Sequence, residues 1–307
     1  MLDMSFVDLY IGPEFCDIKP DVGVDSPRLS LLDDHPDECK ELYHECKRQL
    51  EHWDNPEFTF RRDGKQFRAT TIKDVEGRHI FILRKFRPIP EIAQTGVRAE
   101  TLEYLLSSNL TGLVLVCGRQ ASGKTSTAAS LLRERLRVHG GMAVAVEDPV
   151  ETDLNGIHGN GRCMQIQASP SEGGYSTQVA RALRTGSPQI LIGEVRDPTS
   201  ATQALHASIN GHLVITTVHA GDISSAIERM ITLASHELQN AKAVMADGLS
   251  AVIYQDMRVG RRGRPMVLSR SLIVTDKSIR HKIRTGEIEQ IEQDLERQES
   301  QEAWQNG

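Results

Sequence analysis

The run Gly118-Arg-Gln-Ala-Ser122-Gly123-Lys124-Thr125 fits G-x-x-x-x-G-K-[ST], the pattern of a loop that cradles nucleotide phosphates. Small residues let the backbone curl until successive N–H groups point at phosphate oxygens, and a helix opening at its end adds positive potential. Lys124 supplies a point charge for the β- and γ-phosphates, and the Thr125 hydroxyl can ligate Mg2+. Such a loop alone does not separate an ATPase from a GTPase or a small-molecule kinase. Two acids narrow the choice. The apolar run 142–146 ends in Glu147-Asp-Pro-Val-Glu151, and the run 189–192 passes through Gly193 into Glu194-Val-Arg196-Asp197. In a parallel sheet the C-terminal strand ends face the ligand crevice. There Glu147 can orient and deprotonate an attacking water, or, more plainly, form an acidic turn before a proline. Glu194 can hold Mg2+ through its water shell, since Gly193 stands where such a strand usually carries Asp. Arg196 is either an electrostatic clamp or the partner of Asp197 or another neighbour. His219, at the ligand-side end of the run 213–217, can sense a γ-phosphate; His212, at the opposite end, reads as structural.

These groups need a scaffold. Short apolar runs at 113–117, 142–146, 189–192 and 213–217, with helical stretches such as 125–138 between several of them, predict an α/β fold with a mostly parallel sheet. Upstream, Cys39, Leu42, Cys46, Leu50 and Trp53 share one face of a helix predicted over 34–53. Residues 58–70 read as two strands joined by an Asp63-Gly64 turn, and 79–84 as a third strand. The organisation is therefore a small α+β N-terminal domain (1–90), a linker and leading helix (91–111) stiffened at its start by Arg87-Pro-Ile-Pro90, a nucleotide-binding domain (112–286), and a charged tail (287–307) read as a solvated, frayed helix.

Composition sets the outer bounds. At 307 residues, with 39% hydrophobic content, the chain is large enough for two cored domains at about 100–200 residues each. A net charge of -6 leaves no electrostatic footprint for nucleic acid, so none is expected as a partner. The compact basic run Arg258-Val-Gly-Arg-Arg-Gly-Arg264 reads first as a solvated hairpin loop, with a partner or anionic-lipid contact as the alternative. There is no signal peptide and no apolar run near the ~20 residues that span a bilayer. The five cysteines form no C-x-x-C pair; Cys39 and Cys46 stand about 10 Å apart along their helix, too far for a disulfide. They read as reduced core thiols of a cytosolic protein.

In order, the phosphate loop, Glu147-Asp-Pro-Val-Glu151, Ile190-Leu-Ile-Gly-Glu194-Val-Arg-Asp197 and Gly211-His-Leu-Val-Ile-Thr-Thr-Val-His219 resemble the ordered motif set of the pilus-retraction and type II/type IV secretion ATPases of the PilT/GspE type. Weaker likeness extends to Ser5-Phe-Val-Asp8-Leu, to Phe67-Arg68 and Leu83-Arg84, and to Ser278-Ile-Arg280-His-Lys-Ile-Arg284. The resemblance implies a homo-hexameric motor with a PAS-like N-terminal domain and a RecA-like P-loop domain. It would hydrolyse Mg-ATP between them on the cytoplasmic side of an inner membrane, working with platform or secretion-channel proteins. Gly118, Ser122, Gly123, Lys124, Thr125 and Ser126 would bind nucleotide, and Thr125 and Glu194 the metal. Glu147 would be the catalytic base, His219 a γ-phosphate contact, and Arg68 and Arg84 the arginines presented to the nucleotide, with Arg87 competing with Arg84. The chain departs from the family in having Thr185-Gly-Ser-Pro-Gln189 where an acidic stretch is usual, in lacking the Cys-rich zinc site of many relatives, and in its Gln/Glu-rich tail. A RecA-like nucleic-acid translocase is the alternative from another class. Extension, retraction and export are not distinguished.

Overall fold

The computed structural model describes residue 2 and residues 6–19, 29–86, 88–259 and 265–305; Ser5, Arg87 and residues 260–264, most of the basic run, lie outside the described residues. The chain divides into two compact units: Met1–Pro88 with Asp148–Asp153 and Gln167–Gly174, and Ile89–Glu147 with Leu154–Ile166 and Tyr175–Gly307. The covalent chain therefore leaves the second unit immediately after Glu147 and returns at Leu154.

The first unit holds β1 (Asp8–Ile11), β2 (Cys16–Lys19), β3 (Leu29–Ser30), α1 (Pro36–Trp53), β4 (Glu57–Arg62), β5 (Lys65–Lys73) and β6 (His79–Lys85). Its sheet runs β3-β2-β1-β6-β5-β4 and its strands pair antiparallel. Strict alternation sends Leu9, Ile11, Phe58, Phe60, Phe67, Ala69, Phe81 and Leu83 to one face, where Cys39, Leu42 and Cys46 of α1 cover them. Asp63 and Gly64, both at positive φ (52° and 72°), make the two-residue turn between β4 and β5. The opposite face is polar. Asp8, Arg84, Arg68 and Thr59 stand in one cross-strand row on it.

The second unit holds α2 (Ala99–Leu105), β7 (Gly112–Gly118), α3 (Lys124–His139), β8 (Gly141–Glu147), β9 (Gly156–His158), β10 (Gly161–Gln167), α4 (Gly174–Leu183), β11 (Gln189–Glu194), α5 (Pro198–Ile209), β12 (Leu213–His219), α6 (Ile223–Ala234), α7 (Ala241–Gly248), β13 (Leu249–Val259), β14 (Pro265–Ile273), α8 (Lys277–Thr285) and α9 (Ile291–Gln305). The sheet order is β14-β13-β7-β12-β11-β8-β10-β9. Its centre, β13-β7-β12-β11-β8, is parallel, flanked by antiparallel β14 on one side and the β9–β10 hairpin on the other. Side chains alternate between two cores. Leu113, Leu115, Val144, Val146, Ile190, Ile192 and Val214 pack with residues of α5, α6 and α7; Val114, Val116, Ala143, Ala145, Leu191, Leu213 and Ile215 pack with α3. The sheet is thus buried on both faces, as its continuous apolar runs require. Residues 91–111 join this second core through Ile92, Val97, Leu105 and Leu110. Arg135 of α3 is buried and donates to the Gln189 side chain (3.0 Å), to Leu105 O and to Ser107 O (3.0 Å); burial pushes its guanidinium down to about 10.

The C-terminal tail differs from the expected solvated helix. Ile288, Ile291 and Leu295 are buried in the core of the second unit. Asp294 accepts from Lys282 Nζ (2.7 Å), Glu299 accepts twice from Arg270 (2.9 and 3.1 Å), and Gln298 bonds both the N–H and the C=O of Ile273. Ile291 and Leu295 of α9, with Ile288 just before it, are enough to dock the tail once α8 and β14 offer matching groups, and that complementarity is not visible from the tail's charged composition.

Candidate functional site

The phosphate loop joins β7 to α3. Gly118 (φ 151°) pairs with His219 of β12 on one side and Gln255 of β13 on the other. A Cβ at Gly118 would lie 2.2 Å from Gln255 O and 2.6 Å from Ser122 Oγ, so only glycine lets the loop leave the strand along this path. Lys124 opens α3 with 6% of its surface exposed. Its Nζ donates to Arg119 O (2.7 Å) and lies 3.4 Å from His219 Nδ1. Thr125 and Ser126 are half-buried in the same first turn. The Ser122 hydroxyl is buried with no hydrogen-bond partner among the described residues. An orphaned hydroxyl and a buried ammonium in one curled loop fit a polyphosphate anion, which would satisfy both. Among the described residues no cluster of three or more His, Cys, Asp or Glu side chains is arranged to cage a metal. Magnesium carried on phosphates needs only one or two protein ligands, and Thr125 and Glu194 are of the right chemistry.

A line of polar contacts continues from Lys124. His219 Nε2 lies 3.5 Å from Glu194 Oε1, and Arg196 Nε lies 3.1 Å from Glu194 Oε2. Because Lys124 Nζ can only donate, Nδ1 of His219 accepts from it, which leaves Nε2 facing Glu194. Arg196 donates to Glu194, while the Asp197 carboxylate caps α5 by accepting from Ser200 N (2.9 Å). His212 Nδ1 donates to Ser187 O (2.9 Å), just before β12 and so at the end of that strand opposite His219.

Glu147 ends β8, beside β11, and is 2% exposed. Its Oε1 accepts from Gln165 Nε2 at 2.7 Å. A Cβ at Gly193 would approach Glu147 Cγ to 3.0 Å, so the residue that replaces the usual strand-end Asp is the one that gives Glu147 its space. The Glu147 charge and, more strongly, burial push the Cys163 thiol up to about 12. The Tyr175 hydroxyl, its acidity also weakened mainly by burial, accepts from Glu194 N at 3.2 Å.

Arg68 and Arg84 lie in the first unit, directly opposite each other on β5 and β6. With Asp8, Thr70 and Ile82 they line a depression of about 160 Å³. Arg84 is about 60% exposed along its side chain and donates to buried Asp8 Oδ1 (2.8 Å), and that hydrogen bond holds its guanidinium above its ordinary value. Arg68 donates to Glu151 (3.1 Å) and lies 3.5 Å from Glu57. Each guanidinium already has a carboxylate, so an anion that engages either must compete with it.

The structure thus gathers Lys124, His219, Glu194 and Arg196 into one line, puts Glu147 at a neighbouring strand end, and sets Arg68 and Arg84 together on a separate sheet. Sequence reading missed Gln165, Tyr175 and the pairing of Asp8 with Arg84. For Gln165 a signal existed: Cys163-Met-Gln165-Ile-Gln167 places two amides at alternate positions whose neighbour Cys163 is buried, an unusual residue choice for an inward-facing site.

A family model described as "Type II/IV secretion system protein" matches residues 56–303. Over 211 residues the chain is 26% identical to a twitching motility protein of Neisseria gonorrhoeae, covering 67% of this chain and 55% of that protein. It is 29% identical over 183 residues to PilT of Pseudomonas aeruginosa, described as a type IV pilus retraction ATPase, covering 59% and 52%. The chain therefore spans about half the length of these relatives. The fold matches a solved structure of the pilus retraction motor PilT with bound ADP at a TM-score of 0.80 and 24% identity, covering 96% of this chain and 86% of that one.

Proposed function

The chain belongs to the family of type II/IV secretion system proteins, and from that premise we propose that it hydrolyses Mg-ATP as a homo-hexameric motor for a type IV pilus or a type II/IV secretion machine. The observation that carries the reading is that a phosphate loop after β7 and two acids, Glu194 ending β11 and Glu147 ending β8, lie at the C-terminal ends of strands in the parallel centre of one sheet. Two such acids fit hydrolysis better than transfer to a metabolite.

In this reading the loop residues Gly118 to Ser126 hold the phosphates, with Lys124 shifting from Arg119 O to the phosphate oxygens. Thr125 and, through a water, Glu194 would hold magnesium, which would supply charge neutralisation on those oxygens. Glu147 takes a proton from the attacking water as its oxygen bonds to the γ-phosphorus and the bond to the β–γ bridging oxygen breaks, giving ADP and inorganic phosphate. His219, between Lys124 and Glu194, senses whether the γ-phosphate is present. Arg68 and Arg84 neutralise charge on the transferred phosphoryl group. No helix among the described residues is long and apolar enough to cross a membrane. Attachment to the cytoplasmic face of an inner membrane would run through platform or channel proteins.

The test is a mass and symmetry measurement on the purified chain with and without a non-hydrolysable ATP analogue, alongside phosphate release. Six-fold particles and turnover that rises with assembly are expected. A strict monomer in both states removes the ring-motor reading; DNA-stimulated, salt-sensitive hydrolysis moves the chain to the translocase class.

A further inference from the structure

We infer that Gln165 is a positioning residue for Glu147, an inference that rests on Glu147 being the base. Gln165 sits on β10, next to β8, and its side-chain amide is engaged at both ends. Nε2 donates to Glu147 Oε1 (2.7 Å), while Oε1 accepts from Leu154 N (3.2 Å). Its own backbone N–H donates to Asn155 Oδ1 (3.3 Å). The orientation of the amide is fixed by chemistry. Flipped, it would set a carbonyl oxygen against a carboxylate oxygen and an NH2 against an N–H.

This arrangement differs from an ordinary strand-surface contact in what it spans. Glu147 is the last residue before the chain leaves for Asp148–Asp153, and Leu154 is the first after it returns. A single carboxamide therefore clips the side chain at the exit of the excursion to the backbone at its re-entry. Glu147 is 2% exposed, so solvent has little part in orienting its carboxylate. A donor at 2.7 Å on one oxygen restrains rotation of the carboxylate plane, a property that a proton acceptor aimed at a water requires. A carboxamide suits this place better than an acid or a cation. An acid would share a proton with Glu147, and a lysine would hold the carboxylate too tightly as an anion to accept one.

The experiment is steady-state hydrolysis by the full chain, with nucleotide affinity and melting temperature followed in parallel. Gln165→Leu removes both bonds. It is expected to lower kcat about 10- to 100-fold, the scale of an ångström misplacement, with KM and nucleotide affinity within about twofold. Gln165→Glu keeps the acceptor toward Leu154 and holds the fold should the leucine variant fail; it sets a second carboxyl against Glu147 and should lower kcat with KM little changed. In a Glu147→Gln background, Gln165→Leu should cause no further loss, since it acts through the side chain already replaced. Parental kcat in Gln165→Leu, a loss confined to KM, or an equal loss in the Glu147→Gln background overturns the inference. Parental hydrolysis by Glu147→Gln alone overturns instead the assignment of the base, so the two failures are distinguishable.

Discussion

Replacing Glu147 with Gln changes one atom's chemistry at the centre of the site and leaves its shape. The substituted amide can still present an oxygen to Gln165 Nε2, now 2.7 Å from Glu147 Oε1, so the packing against Gly193 and β10 is kept. A hydrogen bond to a charged acceptor becomes one to a neutral acceptor, a loss of about 1 kcal/mol. Removal of a charge that is 2% exposed acts in the opposite direction, so the net change in stability should stay within about 1 kcal/mol. Binding should also persist, because Lys124 and Ser122 are untouched. Turnover should not. Loss of a general base costs about 10²- to 10⁴-fold in kcat, or about 3–5 kcal/mol of barrier. Phosphate release measured at saturating ATP, together with titration of a fluorescent nucleotide, separates the two quantities. A variant that binds nucleotide and hydrolyses it at the parental rate refutes the base. A variant that loses binding and turnover together refutes the division of labour between loop and acid.

Other outcomes follow from particular contacts. Ile291→Ala should cost about 2–4 kcal/mol in urea unfolding, since Ile291 is fully buried; a change under about 0.5 kcal/mol would mean that α9 is the solvated tail its charge suggests. Arg84→Ala should lower kcat at least about tenfold and cost about 1–3 kcal/mol of stability, because it leaves the buried carboxylate of Asp8 without this donor; unchanged kcat would return Arg84 to a structural role as the partner of Asp8. Burial pushes the Cys117 and Cys163 thiols from 9.0 up to about 12, so the unfolded chain releases these protons at lower pH than the folded one. Their contribution is complete below about pH 9 and is lost as pH rises toward 12, so urea midpoints should drop between about pH 8 and about pH 10, and by less in a Cys117→Ala/Cys163→Ala variant. An equal drop in both proteins would contradict the assignment.

Much of the scaffold is legible in the chain because its signals are local. The runs at 113–117, 142–146, 189–192 and 213–217 become β7, β8, β11 and β12, each lengthened by a residue or two at its ends. The Asp63-Gly64 pair makes its hairpin, and the 3–4 spacing of Cys39, Leu42 and Cys46 makes the buried stripe of α1. The β9–β10 hairpin and the docking of α9 were not legible. Gly156-Ile-His158 is too short and too rich in glycine nearby to show a period, and α9 carries two buried apolar anchors, Ile291 and Leu295, in a field of Gln and Glu.

The sequence by itself determined the phosphate loop, because its residues are consecutive and the curl they need is a local property of glycine, serine and a helix start. It also determined that acids end two buried strands, since apolar runs and their terminal residues are contiguous. Only the tertiary structure decided which groups meet. Gln165 reaches Glu147 across 18 residues, Arg84 reaches Asp8 across 76, and Lys124 comes within 3.4 Å of His219 across 95. Those meetings depend on the order and register of strands in two sheets. Register is set by the fit of whole buried faces to one another, a sum over distant residues that no local spacing contains.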